Sequence, residues 1–183
     1  MVDSVEVLEV TILTGVRRSG KSTLMYQMIN NLLKKGISPK QVLFVNLEDK
    51  KLAQDSLDDI YESYRQSLNI DKKAYIFLDE VHRKEGWESW IRKKYDLKTN
   101  DKFVISGSCS YLLRREYSAL LTGRNLTFEV FPLSFEEFLS FKNVEVDKKN
   151  VKAGIILDKT RRLILRLFDE YLNLGGFPEV LFK

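Results

Sequence analysis

The sequence has little of what crosslinked or metal-bound proteins need. Its 183 residues include one cysteine, Cys109, and one histidine, His82. A single cysteine excludes an intrachain disulfide, and one cysteine with one histidine is too few side chains for a typical zinc site. With only three prolines and nine glycines, the chain is neither collagen-like nor of low complexity.

Long apolar runs and a strong excess of one charge are also missing. No run approaches the roughly 20 apolar residues of a membrane-spanning helix. Residues 1–10 carry Asp3, Glu6 and Glu9 without a basic stretch, which is not the pattern of a signal peptide. The net charge of +4 comes from 30 basic and 26 acidic residues that are interspersed along the chain. We therefore expect a cytoplasmic protein that does not interact with membranes.

What the chain has is an alternation of short apolar strands and amphipathic helices. Strands are predicted at residues 10–14, 41–47, 74–78, 102–106 and 126–131, and helices at 21–35, 53–68, 87–97 and 111–121. The strands at 10–14 and 41–47 are apolar on both sides, which is typical of buried parallel strands. In the helix at 87–97 we expect the aromatic residues to face inward and Arg92, Lys93 and Lys94 to face solvent. The pattern predicts an α/β fold with a parallel sheet between helices.

After Pro132 the pattern becomes helical. Ser134 and Glu137 have the spacing of a capping box that opens a helix, and residues 143–152 have the polar composition of a loop. A last helix, apolar at every fourth residue, is expected to end at Gly175. We predict a core at residues 1–133 and a helical extension at 134–183 that begins a longer C-terminal region.

A phosphate-binding motif follows the first strand. The sequence GVRRSGKS (15–22) fits the pattern G-x-x-x-x-G-K-[ST] of the P-loop, between a strand and a helix as that motif requires. Its backbone amides and the helix N-terminus attract phosphate, while Lys21 is expected to reach the β- and γ-phosphates and Ser22 to bind Mg²⁺. The candidate nucleotide-binding residues are Gly15, Val16, Arg17, Arg18, Ser19, Gly20, Lys21, Ser22 and Thr23. For Arg17 and Arg18, contact with phosphate and simple exposure to solvent both stay open.

Two carboxylates end the third strand. Asp79 is placed at the carboxyl end of an apolar strand, where ligands bind in open α/β sheets. In that position it is expected to help hold Mg²⁺, and Glu80 is expected to accept a proton from an attacking water. Such a general base favours hydrolysis over transfer to a substrate hydroxyl.

Three further positions have two interpretations each. Asn46 is either a hydrogen-bond partner that holds Glu80 inactive or a turn-forming residue. The hydroxyl of Ser106 or Ser108 either orients water at the γ-phosphate or belongs to an ordinary strand-to-helix turn. Arg124 either neutralises phosphate charge, within its own subunit or in a neighbour, or is a surface arginine.

The motifs together resemble the AAA+-like P-loop ATPases common in archaea, close to the STAND class. The matching segments are GVRRSGKSTL (15–24), FVNLED (44–49), YIFLDEVH (75–82), ISGSCSYLL (105–113), LTGR (121–124), FPLSFEEFL (131–139) and GGFPEV (175–180). The resemblance implies a sheet of order 5-1-4-3-2, a Walker-type Mg-ATP site, and a Gly-x-Pro element at 176–178. That element would open a winged-helix-like region that packs over the nucleotide, followed by a further domain.

These observations predict an Mg²⁺-dependent ATPase whose hydrolysis drives a conformational or oligomeric switch, with ATP or ADP bound and a second copy or a protein as partner. One alternative is a nucleotide-dependent interaction module with little hydrolysis. A nucleic-acid-stimulated motor is supported only by one basic cluster, which comprises Arg83, Lys84, Arg92, Lys93, Lys94 and Lys98. A solvated helix face also explains that cluster.

Overall fold

The computed structural model describes residues 5, 7–68, 72–108, 121, 123–146 and 158–181. The chain divides into two compact units. The first unit comprises Met1–Val16 and Lys21–Val130, and the second comprises Arg17–Gly20 and Phe131–Lys183.

The first unit is built on a parallel five-stranded sheet. The strands are β1 (Val10–Gly15), β2 (Val42–Asn46), β3 (Tyr75–Asp79), β4 (Lys102–Ser108) and β5 (Asn125–Glu129). Their order is β2-β3-β4-β1-β5, and every neighbouring pair is parallel. The predicted order 5-1-4-3-2 is confirmed. Because all strands run the same way, the turns after β1, β3 and β4 lie at one edge of the sheet, which we call the carboxyl edge.

The sheet has an apolar core on each face. Alternation along β3 sends Ile76 and Leu78 into one core, with residues of the second and third helices, and Tyr75 and Phe77 into the other, with residues of the first helix. All six residues of β1 are buried, as expected for a strand with a neighbour on each side. The prediction that β2 is equally buried is wrong, since only Val45 of this strand is buried. The reason is that β2 is an outer strand of the sheet, with a neighbouring strand on one side only.

Three helices of the first unit are described: α1 (Lys21–Lys34), α2 (Leu57–Leu68) and α3 (Trp87–Asp96). The prediction that Lys94 of α3 faces solvent is wrong, since its side chain is only 8% exposed. Its ammonium group lies 4.1 Å from the centre of the Tyr61 ring, 3.1 Å from the Asp58 carboxylate and 3.2 Å from that of Glu62. An aromatic ring and two carboxylates on α2 compensate the charge, so this lysine links α3 to α2.

A buried polar cluster lies at the opposite, amino edge of the sheet. Asp101 accepts hydrogen bonds from the Tyr61 hydroxyl (2.6 Å) and the Ala74 amide (2.9 Å), and it pairs with the Arg65 guanidinium. Desolvation, followed by the hydrogen bond to Asp101, raises the pKa of Tyr61 to about 12. Burial lowers the pKa of the neighbouring Lys102 to about 8.

The second unit contains α4 (Phe135–Phe141), α5 (Asp158–Leu174) and α6 (Pro178–Leu181). The predicted capping box of Ser134 and Glu137 is present at the start of α4. Phe138 and Leu167 form a small core with Tyr171 against it. Gly176 is held so close to Leu133 that a Cβ atom would lie 2.2 Å from the Leu133 carbonyl oxygen, so only glycine fits there.

Some sequence predictions fall outside the described residues: most of the helix at 111–121, and the loop from residue 147 onward. Within the described ranges, no helix combines the length and apolar character that crossing a bilayer requires.

Candidate nucleotide-binding site

The P-loop connects the end of β1 to the start of α1. Arg18 and Gly20 have left-handed backbone conformations, with φ of 65° and 103°. The buried Lys21 ammonium donates to the carbonyl oxygens of Gly15 (3.1 Å) and Val16 (3.0 Å). The turn thus places a positive charge at the N-terminus of α1, an arrangement that attracts anions.

The Ser19 hydroxyl is the clearest sign of a ligand in this loop. Ser19 is 4% exposed, and its Oγ atom has no hydrogen-bond partner among the described residues. A buried hydroxyl without a partner is costly, so such a group points to a ligand. A phosphate oxygen is an acceptor that would satisfy it.

Two serines bracket Asp79 at the end of β3. The Ser22 hydroxyl donates to Asp79 Oδ2 (2.6 Å), and the Ser106 hydroxyl, from β4, donates to Oδ1. Asp79 itself is 3% exposed. The P-loop serine and the strand-end carboxylate therefore lie in direct contact, an oxygen-rich pair of the kind that hard divalent cations prefer.

Glu80 has a strained backbone. Its φ of 55° lies in the left-handed region, which non-glycine residues seldom adopt outside functional sites and turns. Its amide donates to Ser106 Oγ (3.0 Å), so one serine fixes both carboxylate residues. Its side chain is 15% exposed, and Oε2 lies 3.3 Å from His82 Nδ1.

Asn46 and the two serines at the end of β4 differ in their surroundings. The Asn46 amide oxygen accepts from the Glu48 amide (2.9 Å), as in the turn-forming alternative. Ser106 is fully buried against Asp79, whereas Ser108 is partly exposed and pairs in register with Gly15. Of the two hydroxyls, Ser108 is thus placed beside the start of the P-loop.

Arg124 lies at the wrong edge of the sheet to act on its own P-loop. Its carbonyl accepts from the amide of Val10, the first residue of β1, while the P-loop follows the last. Six strand residues separate the two edges by roughly 16 Å, at about 3.3 Å per residue. The guanidinium pairs with Asp96 (3.1 Å). The alternative in which Arg124 acts within its own subunit is contradicted; action in a neighbour stays open.

The other P-loop residues differ in exposure. Val16, Arg17, Arg18 and Thr23 are exposed. The Arg18 guanidinium lies 3.1 Å from the Glu179 carboxylate, and both residues belong to the second unit. Sequence reasoning missed Glu179, and its only signal was an acidic residue after the Gly-x-Pro element.

The basic cluster proposed for nucleic acid does not form one open surface. Arg83 pairs with Glu48, Arg92 with Asp96, and Lys94 is buried against α2. Lys84 donates to three main-chain carbonyls. The nucleic-acid alternative loses the observation on which it rested, because most of these charges are compensated within the fold.

Comparison with known proteins agrees with this geometry. A family model described as an AAA domain matches residues 8–139. An uncharacterised protein of Methanocaldococcus jannaschii is 34% identical over 94% of this chain, and one of Haemophilus influenzae is 36% identical over 93%. The chain covers 36% and 40% of their respective lengths.

Three solved structures share the fold at low sequence identity. The Saccharomyces cerevisiae Hsp104–casein complex has a TM-score of 0.60 and 14% identity, over 99% of this chain and 34% of the other. A DNA replication initiation factor has a TM-score of 0.52 and 16% identity, over 96% and 58%. Cdc6p of Pyrobaculum aerophilum has a TM-score of 0.52 and 13% identity, over 73% and 41%. With the family match, the sheet order and the P-loop, this chain belongs to the AAA-domain family and has the fold of AAA+-like P-loop ATPases.

Proposed function

We propose that this protein binds ATP with Mg²⁺ at the P-loop and hydrolyses it. The observation that carries the proposal is the direct contact of Ser22 with Asp79, with Glu80 beside them. Nucleotide binding of the ATPase type is the general function of the family; hydrolysis and magnesium are our proposal.

The residues present fit that chemistry. Ser22 and Asp79 supply oxygen ligands, and Ser19 supplies a hydroxyl donor for a phosphate oxygen. Among the described residues, no cluster of three His, Cys, Asp or Glu side chains could hold a metal. Mg²⁺ would therefore be held by Ser22, by Asp79 and by the phosphates, and when bound it neutralises phosphate charge.

Each group has a separate role in this proposal. The Lys21 ammonium exchanges its carbonyl partners for oxygens of the β- and γ-phosphates. Glu80 accepts the proton of the attacking water, and the hydroxyl of Ser108 orients that water. Ser106 holds Asp79 and Glu80 in position through its hydrogen bonds to the Asp79 carboxylate and the Glu80 amide. Asn46 stays a candidate for holding Glu80 inactive, through its amide nitrogen.

Phosphate release and ATP binding test the proposal together. Glu80→Gln keeps the side-chain shape but removes the base, so we expect turnover to fall about 100-fold or more with ATP affinity retained. Glu85→Gln, in an exposed carboxylate nearby, is the matched control and should match the parent protein. Unchanged phosphate release in Glu80→Gln would contradict hydrolysis by this site. Binding without measurable turnover in the parent protein would favour the interaction module.

We further propose that hydrolysis drives a conformational or oligomeric switch, and that Arg124 acts on the site of a neighbouring copy. The position of Arg124 at the far edge of the sheet supports action between subunits. Turnover per molecule should then rise with protein concentration, and Arg124→Ala should abolish that rise. A specific rate that is independent of concentration in the parent protein argues against it.

The finer family assignment is also part of the proposal. We place the chain close to the STAND class, with an ATPase core at 1–133 and a C-terminal region from 134 in a cytoplasmic protein. The helical core around Phe138 and Leu167, which follows the capping box at Ser134, supports a structural boundary there.

A further inference from the structure

The short turn after Glu80 connects the candidate site to a surface loop. The turn is the 3₁₀ helix Val81–Arg83, and Lys84 follows it. Both Arg83 and Lys84 bind the segment between β2 and α2, residues 47–56, which we call the β2–α2 loop. This segment lies about 30 residues earlier in the sequence, so only the fold brings it to the turn.

Lys84 holds the backbone of the loop. Its ammonium donates to the carbonyl oxygens of Leu52, of Ala53 (3.2 Å) and of Asp55 (2.6 Å). An ammonium group has three N–H donors, so the loop uses all of them. Three backbone positions of the loop, within the four-residue span 52–55, are thus held by one side chain.

Arg83 and the main chain add two more connections. The Arg83 guanidinium lies 2.6 Å from the Glu48 carboxylate in a half-exposed ion pair, and the Leu47 amide donates to the Asp79 carbonyl (3.0 Å). An open groove of about 500 Å³ is lined by residues 47–50, Ala53, Arg83 and Lys84. Leu47 and the partly buried Leu52 belong to the apolar core that also contains Val81 of the turn, so both polar contacts and apolar packing join the loop to the turn.

The other end of the turn is Glu80. The Arg83 amide donates to the Glu80 carbonyl (3.0 Å) and the Lys84 amide to that of Val81 (3.1 Å), while the Val81 side chain is fully buried. These bonds make the turn one stiff unit. The left-handed conformation of Glu80 persists only if its surroundings enforce it.

We propose that Lys84 and Arg83 are positioning residues for Glu80, and that the β2–α2 loop controls hydrolysis through them. The proposal rests on the proposed function, because it assigns Glu80 as the base. Release of the loop lets the turn and the Glu80 carboxylate shift, while the P-loop that binds the phosphates stays unchanged. The expected signature is a fall in kcat without a change in ATP affinity.

The experiment compares substitutions in the full chain by phosphate release and by calorimetry with Mg-ATP. Lys84→Met removes all three donors at nearly the same length, and we expect kcat to fall about tenfold, since small displacements of a reacting group are costly. The Kd for ATP should stay within about twofold, because the phosphate contacts are untouched. Lys84→Arg should restore most of kcat. Lys93→Met, at an exposed lysine on α3, is the matched control and should leave kcat unchanged.

The Arg83–Glu48 ion pair allows a second comparison, with a smaller expected effect. Arg83→Glu should lower kcat about threefold, because this exposed pair is weak. Adding Glu48→Arg should recover kcat, since the pair is then rebuilt with reversed charges. Independent, additive losses in the double variant would contradict coupling through this pair.

Glu80→Gln, measured in parallel, separates the two proposals. Unchanged turnover in Glu80→Gln overturns the proposed function itself. A large loss in Glu80→Gln with parental kcat in Lys84→Met overturns only the positioning role. Parallel losses of kcat, ATP affinity and thermal stability in Lys84→Met, without recovery in Lys84→Arg, also overturn it, because they indicate a merely structural residue.

Discussion

Buried polar side chains are found at both edges of the central sheet, and the two groups differ in how their hydrogen bonds are satisfied. At the amino edge, the Asp101 carboxylate accepts from a hydroxyl and an amide and pairs with a guanidinium. The Arg65 guanidinium also donates to the Lys72 carbonyl and the Tyr61 hydroxyl. This cluster matches donors with acceptors inside the protein.

The carboxyl edge is arranged differently. Within the described part of the chain, the Ser19 hydroxyl has no partner, and the Lys21 ammonium donates to two carbonyls of its own loop. Glu80 keeps a left-handed backbone. Such a cluster contributes little to the stability of the fold, and its hydrogen-bond donors remain available to a ligand.

The comparison shows how a structural polar cluster differs from a binding site when both are buried. Burial and charge are similar at the two edges, so neither identifies the site. The satisfaction of hydrogen bonds does, whereas a left-handed backbone does not, because Asn100 beside Asp101 also has a positive φ of 59°. Substitutions at the amino edge should therefore change stability, and those at the carboxyl edge should change nucleotide binding.

The largest effect is expected at Asp101. Asp101→Ala leaves Arg65, Tyr61 and the Ala74 amide without their acceptor, and should lower the free energy of unfolding by about 3–5 kcal/mol. Urea unfolding measures this, with Asp101→Asn as the milder variant. Asp96→Ala, which removes the half-exposed partner of Arg124, should cost under about 1 kcal/mol. Equal costs for Asp101 and Asp96 would remove the distinction between a buried cluster and a surface pair.

Lys21→Ala should change ATP binding and turnover more than it changes stability. It removes the ammonium that we propose binds the phosphates, so we expect ATP turnover to fall about 100-fold or more and binding to weaken at least tenfold. Stability should change less than in Asp101→Ala, by about 1–2 kcal/mol, since only two hydrogen bonds to backbone carbonyls of the same loop are lost. Lys34→Ala, at an exposed position in the last turn of the same helix, is the control. ATP binding equal to that of the parent would remove the P-loop from the site.

A pH dependence of stability is expected from Lys102. Burial lowers its pKa from the ordinary 10.5 to about 8, with Glu9 raising it and Lys73 lowering it further. Between pH 8 and 10.5 the folded protein therefore binds fewer protons than the unfolded chain, and the free energy of unfolding rises with pH. The limiting slope is about 1.4 kcal/mol per pH unit.

Urea unfolding at pH 7 and pH 9.5 measures this rise, which we expect to be about 1–2 kcal/mol. Lys102→Met should abolish it. Tyr61, whose pKa is raised to about 12, lowers stability only above its ordinary pKa of 10, outside this window. A rise of the same size in Lys102→Met would assign the pH dependence to another group.

The smallest effect is expected at Ser19. Ser19→Ala removes a buried hydroxyl without a described partner, so stability should be unchanged or slightly higher. ATP affinity should fall about two- to tenfold, because the hydroxyl is then missing for the phosphate. Differential scanning fluorimetry with and without Mg-ATP measures both. A loss of stability without ATP, with affinity retained, would make Ser19 a structural residue.

Local patterns in the sequence predicted most of the first unit. The apolar runs predicted all five strands within two residues of their observed ends, because buried parallel strands leave a continuous apolar signature. The P-loop and the Ser134–Glu137 capping box were predictable because their contacts join residues a few positions apart. Sequence patterns also predicted that Asp79 and Glu80 end a strand.

Contacts between distant segments were not predictable in this way. The Lys94 ammonium was expected in solvent, yet carboxylates and an aromatic ring on α2 surround it. Phosphate contact within its own subunit was one of the interpretations of Arg124, but the strand direction puts this residue at the other edge. The partners of Lys84 and the contact of Arg18 with Glu179 have no local signature.

The sequence by itself determined the fold class, the strand order through the resemblance, and the phosphate-binding turn, because hydrophobic periodicity and glycine spacing act over a few residues. The tertiary structure alone decided which charges are compensated, which hydroxyl holds Asp79 and Glu80 together, and which edge Arg124 occupies. The physical reason is that hydrogen bonds and ion pairs require atoms within about 3–4 Å, and only the packed sheet and helices bring distant segments that close.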